Sequence, residues 1–258
     1  MTNRRRRPGG APPPPSAPQV DREAVNSIIT EVRNRLNKAG RKELADALRS
    51  SYGEELDCHG IRPADVHNIG MDYVRRLRSP GYPLTLAVAD ELCMSGNLEE
   101  GLIGAQLIGA MARHVAGGDF ERFERWGAKL SNGQTAEAIA SACISRAMAA
   151  KPSIALRLLE WTKSESRWKR IAAVTAFSPL VRDGRFMTDA LTVAEPLMSD
   201  DDELVQVAVG TMLMEMTRLK ADRVVEFLGP QKDSAPQSIL QLAATKLTGP
   251  DRAAVLGG

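Results

Sequence analysis

The residues best suited to chemistry lie in one stretch of twenty near the middle of the chain, Leu158 to Phe177. It carries two of the three tryptophans among basic side chains. These residues are Trp161, Lys163, Arg167, Trp168, Lys169 and Arg170. Cationic groups beside aromatic rings can hold a polyanion, because guanidinium and ammonium groups bind phosphate oxygens. The alternative is a capped core helix whose exposed face is basic, with both tryptophans serving packing alone.

Other kinds of chemistry have weaker signals. Cys58, His59 and His67 do not complete a four-ligand set, so we expect no metal site. The three cysteines are too widely spaced for a disulfide framework and are expected to be buried thiols. No glycine-rich loop has the spacing that cradles the phosphates of a nucleotide, and we expect no cofactor.

Composition and charge indicate a soluble protein with one region of excess positive charge. The chain has 258 residues, of which 43% are apolar, enough for a sizeable core. No run approaches the length of a membrane span, and the N-terminus lacks an apolar signal region, so we expect a cytoplasmic protein. Residues 113–185 carry 13 Lys or Arg against 7 Asp or Glu, the local excess that a nucleic-acid surface needs.

The first twenty residues differ from the rest. Arg4 to Arg7 precede Gly9, Gly10 and the prolines Pro12 to Pro15, and almost nothing in the segment is apolar. We therefore predict a disordered tail over residues 1–20, followed by a single helical domain over residues 21–258. The arginines of the tail would attract nucleic acid or an acidic partner, or serve solubility alone.

From Asp21 onward the periodicity is helical. The first helix has apolar residues at intervals of three and four, with Asp21 as its cap and Gly40 at its end. Pro63 marks another start. Two pairs predict capping boxes. These are Asn97 with Glu100, and Ser234 with Gln237.

The small residues of the predicted helix Leu98 to Val115 indicate close packing. It contains Gly101, Gly104 and Gly109, and each costs about 1 kcal/mol of helix propensity. Close approach of a neighbouring helix would offset that cost. Repeated antiparallel helix pairs would provide it, and the predicted fold is an all-α solenoid of HEAT-like pairs, curved with a concave basic face. An irregular helical bundle is the alternative.

The order of the segments resembles that of a known family. CHGIRPADVHNIGMDYVRRL, ELCMSGNLEEGLIGAQLIGAM, FERWGAKLSNGQTAEAIA, LEWTKSESRWKRIAAV and DDDELVQVAVGTMLMEM follow one another as in the DNA alkylation repair family of HEAT-like-repeat DNA glycosylases. The resemblance spans roughly residues 40–230. It implies a curved helical array that holds double-stranded DNA, and active members release cationic bases such as 3-methyladenine and 7-methylguanine.

The family's functional positions are mostly changed in this chain. The family pattern Asn-Trp-Asp-x-x-Asp corresponds to Asn132 through Glu137, so Gly133 replaces the tryptophan and Glu137 stands at the catalytic aspartate. In the pattern Trp-x-x-Arg, Trp168 is present, but Ile171 takes the arginine position. Thr211 replaces the tryptophan of a later Gly-Trp pair. The resemblance thus implies that Glu137 is the candidate catalytic residue of a divergent site.

Three functions follow as hypotheses. The first is a duplex-DNA-binding protein of damage recognition or repair with lost or altered glycosylase activity, associated with the nucleoid when bound. The second is an active glycosylase for cationic alkylpurines, in which Glu137 stabilises the sugar cation. The third is a HEAT-repeat scaffold with a protein partner. None of the three predicts a membrane or a small-molecule cofactor as a partner.

Overall fold

A computed structural model describes residues 20–53 and 55–257, and every regular element within these ranges is helical. The fifteen α-helices are α1 (Arg22–Ala39), α2 (Lys42–Tyr52), α3 (Pro63–Leu77), α4 (Tyr82–Met94), α5 (Leu98–Ala110), α6 (Phe120–Gly127), α7 (Gly133–Ile139), α8 (Ser145–Ala150), α9 (Ile154–Trp161), α10 (Arg167–Thr175), α11 (Ser178–Arg182), α12 (Met187–Ala194), α13 (Glu203–Leu228), α14 (Gln237–Ala243) and α15 (Gly249–Leu256). The all-α prediction is confirmed. The predicted tail, apart from Val20, lies outside the described residues, and the assignment of residues 21–258 to one domain stays a prediction.

The helices pack as antiparallel pairs in two rows. One row contains α3, α5, α7, α10, the first part of α13 and α14, each in contact with the next. The other contains α1, α4, α6, α9 and α12. Helices of the first row contact one another more closely than those of the second, and we call the two the inner row and the outer row. The predicted solenoid-like arrangement is confirmed.

The repeat is shorter than the 40 to 47 residues typical of HEAT and armadillo units. The residues that precede the inner-row helices lie 35, 35, 34, 36 and 34 positions apart along the chain. They are Arg62, Asn97, Asn132, Ser166, Asp202 and Pro236. The helices of the inner row therefore run parallel, with their N-terminal ends along one edge and their C-terminal ends along the other.

A recurring side-chain contact joins neighbours in the outer row. The carboxylate of Asp90 on α4 accepts hydrogen bonds from Arg122 Nη1 at 2.7 Å and from the indole nitrogen of Trp126 at 2.6 Å. Both donors lie on α6, four residues apart. The corresponding residues of the next pair of helices are Glu124, Arg157 and Trp161. The same chemistry thus fixes α4 to α6 and α6 to α9.

Several predicted helix ends are confirmed. The Asp21 carboxylate accepts from the amides of Glu23 and Ala24 at 2.9 and 3.3 Å, and Gly40 ends α1. Pro63 is the first residue of α3. These positions agree with the sequence because each depends only on residues within one turn of the helix end.

Other ends differ from the prediction. Asn97 caps α5, but the Glu100 carboxylate pairs with Arg33 instead of returning to the cap, so only half of the predicted capping box forms. Ser234 is not a cap, since α14 begins after Pro236. The helix predicted for Leu98 to Val115 ends at Ala110.

The glycines of α5 confirm the predicted close approach of neighbouring helices. A Cβ on Gly104 would lie 2.5 Å from Cys93 Sγ, and one on Gly101 would lie 2.9 Å from Thr135 Cγ2. The first contact is to α4 and the second to α7. The cost of these glycines in helix propensity is therefore offset by packing on two sides.

Candidate nucleic-acid interface

Arg170 is held by contacts within the chain. Its Nε and Nη2 donate to the two carboxylate oxygens of Asp200 at 2.7 and 3.1 Å, and its Nη1 donates to the carbonyls of Ser164 and Glu165 at 2.8 and 3.1 Å. The side chain is only 17% exposed. It joins the start of α10 to the loop before α13, and phosphate binding by Arg170 would require these bonds to break.

The other predicted cations of this segment are more accessible. Arg167 pairs with Asp202 at 3.1 Å, and Lys163 pairs with Glu160 at 3.0 Å, both on the surface. The Lys169 ammonium lies 4.8 Å from the centre of the Trp161 ring. Exposed pairs of this kind are weak, so Arg167 and Lys163 remain able to exchange a carboxylate for a phosphate.

The two tryptophans of the segment have different environments. Trp161 is 3% exposed, and its ring lies so close to Gly127 that a Cβ there would be 2.7 Å from Cη2. Trp168 is half-buried, with Arg167 stacked 4.9 Å above its ring and Gly133 against its edge. Trp161 is therefore a packing residue, whereas part of the Trp168 ring remains accessible to a ligand.

Trp168 and Arg167 share a recess with residues from the start of the chain. The recess has a volume of about 440 Å³, and Tyr52 at the end of α2 contributes a second aromatic ring, 41% exposed. Sequence reasoning did not single out Tyr52. The spacing of apolar residues along α2 contains no signal that its last residue faces α10, because that proximity depends on the packing of the array.

Glu137, the candidate catalytic residue, is exposed on α7. Among the described residues it has no hydrogen bond or ion pair, and the surrounding protein raises the pKa of its carboxyl by limiting solvation. The exposed position and the raised pKa together fit a side chain that water reaches from one side only. Three residues further on, Ala140–Ile144 form a π-helical turn that joins α7 to α8 in one continuous helix.

The three substituted family positions lie on consecutive inner-row helices. Gly133 is the first residue of α7, Ile171 lies on α10 and Thr211 lies on α13. Ile171 is 2% exposed and packs in the main hydrophobic core, so no cation reaches the surface from that position. Thr211 is half-buried beside Gly210, which packs against Leu242.

Several accessible side chains on the inner row are small or uncharged, and the predicted basic concave face stays a prediction. Examples of such side chains are Gln106, Gln134, Ser141, Thr175, Val207 and Thr211. Glu137 stands among them as a carboxylate. An accessible carboxylate in neutral surroundings is suited to a cationic ligand or to a positive charge that develops during a reaction.

The residues considered for metal binding do not converge. The Cys58 thiol lies 3.9 Å from the Ala45 carbonyl, and the Nδ1 atom of His67 lies 3.3 Å from Gln106 Nε2. Within residues 20–53 and 55–257, no group of three or more His, Cys, Asp or Glu side chains has the arrangement of a metal site. No helix in the same ranges is both long enough and apolar enough to cross a bilayer.

One known protein family matches most of this chain. The family model described as DNA alkylation repair enzyme matches residues 32–247, which include every helix from α2 to α14. No curated protein matches the chain. The match covers most of the sequence and all the positions compared above, and the chain belongs to the DNA alkylation repair enzyme family.

Proposed function

We propose that the chain binds duplex DNA along its inner row in the recognition or repair of alkylation damage, with a glycosylase activity that is lost or altered. The proposal places it at the nucleoid within the cytoplasm. One observation carries it. The inner row has an accessible carboxylate at Glu137 that forms no ion pair with a described residue, while Gly133, Ile171 and Thr211 replace two of the family's aromatic rings and its arginine.

The chemistry explains why these changes affect catalysis more than binding. A purine alkylated on a ring nitrogen is cationic, so its glycosidic bond breaks readily if the positive sugar is stabilised. Aromatic faces and a carboxylate close to the sugar supply that stabilisation. Here the carboxylate has a longer stem, and the rings from α7 and α13 are absent. Binding to the backbone requires only cations near phosphates and tolerates such changes.

Two measurements on the same protein test the proposal. Fluorescence anisotropy with a labelled duplex, with and without one 7-methylguanine, gives affinity, and chromatography of the same mixtures gives released base. We expect salt-dependent binding to both duplexes, tighter to the damaged one, with base release far below that of an active glycosylase. Absence of DNA binding at low salt would contradict the proposal.

The lack of any ion pair or hydrogen bond between Glu137 and another residue of the described ranges favours a second candidate, the active glycosylase. In that case wild-type protein releases 7-methylguanine or 3-methyladenine from methylated DNA, and Glu137→Gln abolishes release while DNA affinity is kept. Glu165→Gln, which changes an exposed carboxylate in the loop before α10, is the matched control. Equal release by Glu137→Gln and wild type would exclude Glu137 as the catalytic residue.

The scaffold hypothesis predicts that the cations between Leu158 and Phe177 have no role in DNA binding. A protein-binding scaffold has no DNA affinity for substitutions to reduce. We therefore compare wild type with the variant Lys163→Ala, Arg167→Ala, Lys169→Ala, which leaves the framework residue Arg170 intact. Salt-dependent DNA binding by the wild type would exclude a function limited to protein contacts.

A further inference from the structure

A cavity of about 630 Å³ lies where α3 and α5 end. Its walls come from the last turns of these two helices, from the start of α4 and from the short turn Ala112–His114 that follows α5. The volume lies within the range of sites that bind small molecules. The cavity shares no lining residue with the recess of Tyr52 and Trp168, and Glu137 does not line it.

The inner surface of the cavity is apolar. Leu77 and Leu107 are each 1% exposed, and Met111 is 8% exposed. Met71 and Val74, both half-buried on α3, extend this apolar surface along one wall. Methionine side chains adapt to the shape of the group that they contact. The inner part of the cavity therefore suits a flexible apolar group.

The mouth of the cavity is basic. Arg78 follows the last residue of α3, Arg113 lies in the turn after α5, and both side chains are exposed. Neither forms an ion pair with a described residue, whereas Arg75 on the same wall pairs with Asp72. Within residues 20–53 and 55–257, no Asp or Glu lines the cavity. This arrangement favours an anion that carries an apolar body.

Arg113 is oriented by contacts within the chain. Its Nε donates to Nε2 of His114 at 3.1 Å, and the His114 ring stacks on Tyr82 with ring centroids 5.9 Å apart. The Tyr82 hydroxyl in turn donates to Asp119 at 2.6 Å. The two Nη groups of Arg113 make no hydrogen bond with a described residue. A guanidinium that is already oriented loses less freedom when it binds a carboxylate.

Helix ends and DNA each explain only part of this site. Cations are favoured at the C-terminal end of any helix, and α3 and α5 both end here. A helix dipole or a DNA phosphate would use the charges of Arg78 and Arg113, but neither needs an apolar surface beside them. The cavity is also open at Gly81, where a Cβ would have no heavy atom within 4 Å. The combination of charge, apolar interior and open space points to a small ligand.

We propose that this cavity binds a small amphiphilic carboxylate. Its apolar chain would lie on Leu77, Leu107 and Met111, and its carboxylate would lie between Arg78 and Arg113, which bind such groups through charge-assisted hydrogen bonds. Each methylene group removed from water should raise the affinity by up to about fourfold. The site is separate from the proposed function, and its test needs no DNA.

Titration of the ¹⁵N-labelled full chain with octanoate, followed by amide chemical shifts, tests the proposal. Octanol is the uncharged analogue of the same chain length. The charge variant is Arg78→Gln, Arg113→Gln. The control variant, Arg41→Gln, Arg146→Gln, removes the same charge from exposed arginines that do not line the cavity and form no ion pair with a described residue.

A third variant, Ala110→Trp, tests the location of the ligand. Ala110 lines the cavity at the end of α5 and is exposed, so a larger side chain there occupies the cavity without displacing the core. The urea midpoint of each variant shows whether its fold is kept.

We expect octanoate to bind the wild type and to shift the amides of Gly81, Ala110 and Arg113. The charge variant should bind octanoate about tenfold more weakly, while its affinity for octanol stays within about twofold of the wild type. The control variant should bind both ligands as the wild type does, and Ala110→Trp should weaken the binding of both.

Three results would overturn the proposal. The first is the absence of saturable octanoate shifts at the cavity in the wild type. The second is an equal loss of octanoate affinity in the charge and control variants, and the third is unchanged octanoate affinity in Ala110→Trp. If octanoate does not bind but the charge variant loses affinity for duplex DNA, Arg78 and Arg113 serve DNA binding and the proposal also fails.

Discussion

The guanidinium of Arg170 holds the carboxylate of Asp200 through two parallel hydrogen bonds of 2.7 and 3.1 Å. The side chains are 17% and 9% exposed, so this bidentate pair is largely removed from water. It fixes α10 to the loop that begins α13, two neighbours in the inner row. The sequence suggests Arg170 as a phosphate ligand. In the structure, Arg170 instead forms part of the framework that places Trp168 and Thr211 on adjacent helices.

Replacing Arg170 by Ala should cost about 3 kcal/mol in the free energy of unfolding, because the Asp200 carboxylate would lose its partner in a site with little water. Lys163→Ala, which breaks an exposed pair with Glu160, should cost less than about 1 kcal/mol. Urea titration of both variants by circular dichroism measures the difference. Equal costs would show that the Arg170 pair does not stabilise the fold.

The sequence predicts elements better than contacts between them. Asp21, Gly40 and Pro63 mark helix ends correctly, because a cap acts within one turn. The pairing of Arg170 with Asp200 joins two repeats, and no periodicity indicates it. The repeat itself has a sequence signal, since Asn97, Asn132, Ser166 and Asp202 are capping residue types at nearly equal intervals, which a search for 40 to 47 residues misses.

Trp161 and Trp168 should respond differently to truncation. Trp161→Ala should destabilise the fold by about 3 to 5 kcal/mol, because it empties a buried site against Gly127. Trp168→Ala should cost less than half as much, since its ring is partly exposed, but it should weaken binding to a damaged duplex. Urea unfolding and anisotropy measure the two effects. Similar losses of stability in both variants would contradict the distinction.

The candidate site is also only partly predictable from the sequence, because part of it depends on contacts between repeats. The family pattern leads to Glu137, which lies exposed on α7, and its catalytic role stays a prediction. The recess shared by Tyr52 and Trp168 cannot be read from either segment, because it forms where α2 meets the start of α10.

Glu99 should matter for the connection between α2 and α3. Its buried carboxylate accepts hydrogen bonds from the amides of His59, Gly60 and Ile61 at 2.9, 2.9 and 3.1 Å. Glu99→Gln replaces one carboxylate oxygen by an amide NH2 group, which cannot accept a hydrogen bond, so at least one of these amides loses its acceptor; the change should cost about 2 to 3 kcal/mol in unfolding free energy.

Glu43→Gln, which changes an exposed carboxylate on α2, is the control for Glu99→Gln. Hydrogen exchange of the amides at residues 59–61 provides a local measurement. These amides should exchange faster in Glu99→Gln and at the wild-type rate in the control, and unchanged exchange would count against the role of Glu99.

Glu137 should make stability depend on pH in a direction opposite to that of a paired carboxylate. Its pKa is raised in the folded chain by limited solvation, so the folded state binds a proton more tightly than the unfolded state does. Below the pKa of the unfolded state both forms are protonated and the side chain has no effect. As pH rises through the folded pKa, the charged form accumulates and stability falls.

Glu137→Gln removes this loss of stability. The variant should therefore match the wild type near pH 4 and exceed it at neutral pH, by less than about 1 kcal/mol because the side chain is exposed. Urea midpoints from pH 4 to pH 8, with Glu165→Gln as the control, measure the difference, and a variant less stable than wild type at neutral pH would mean that Glu137 has a stabilising partner.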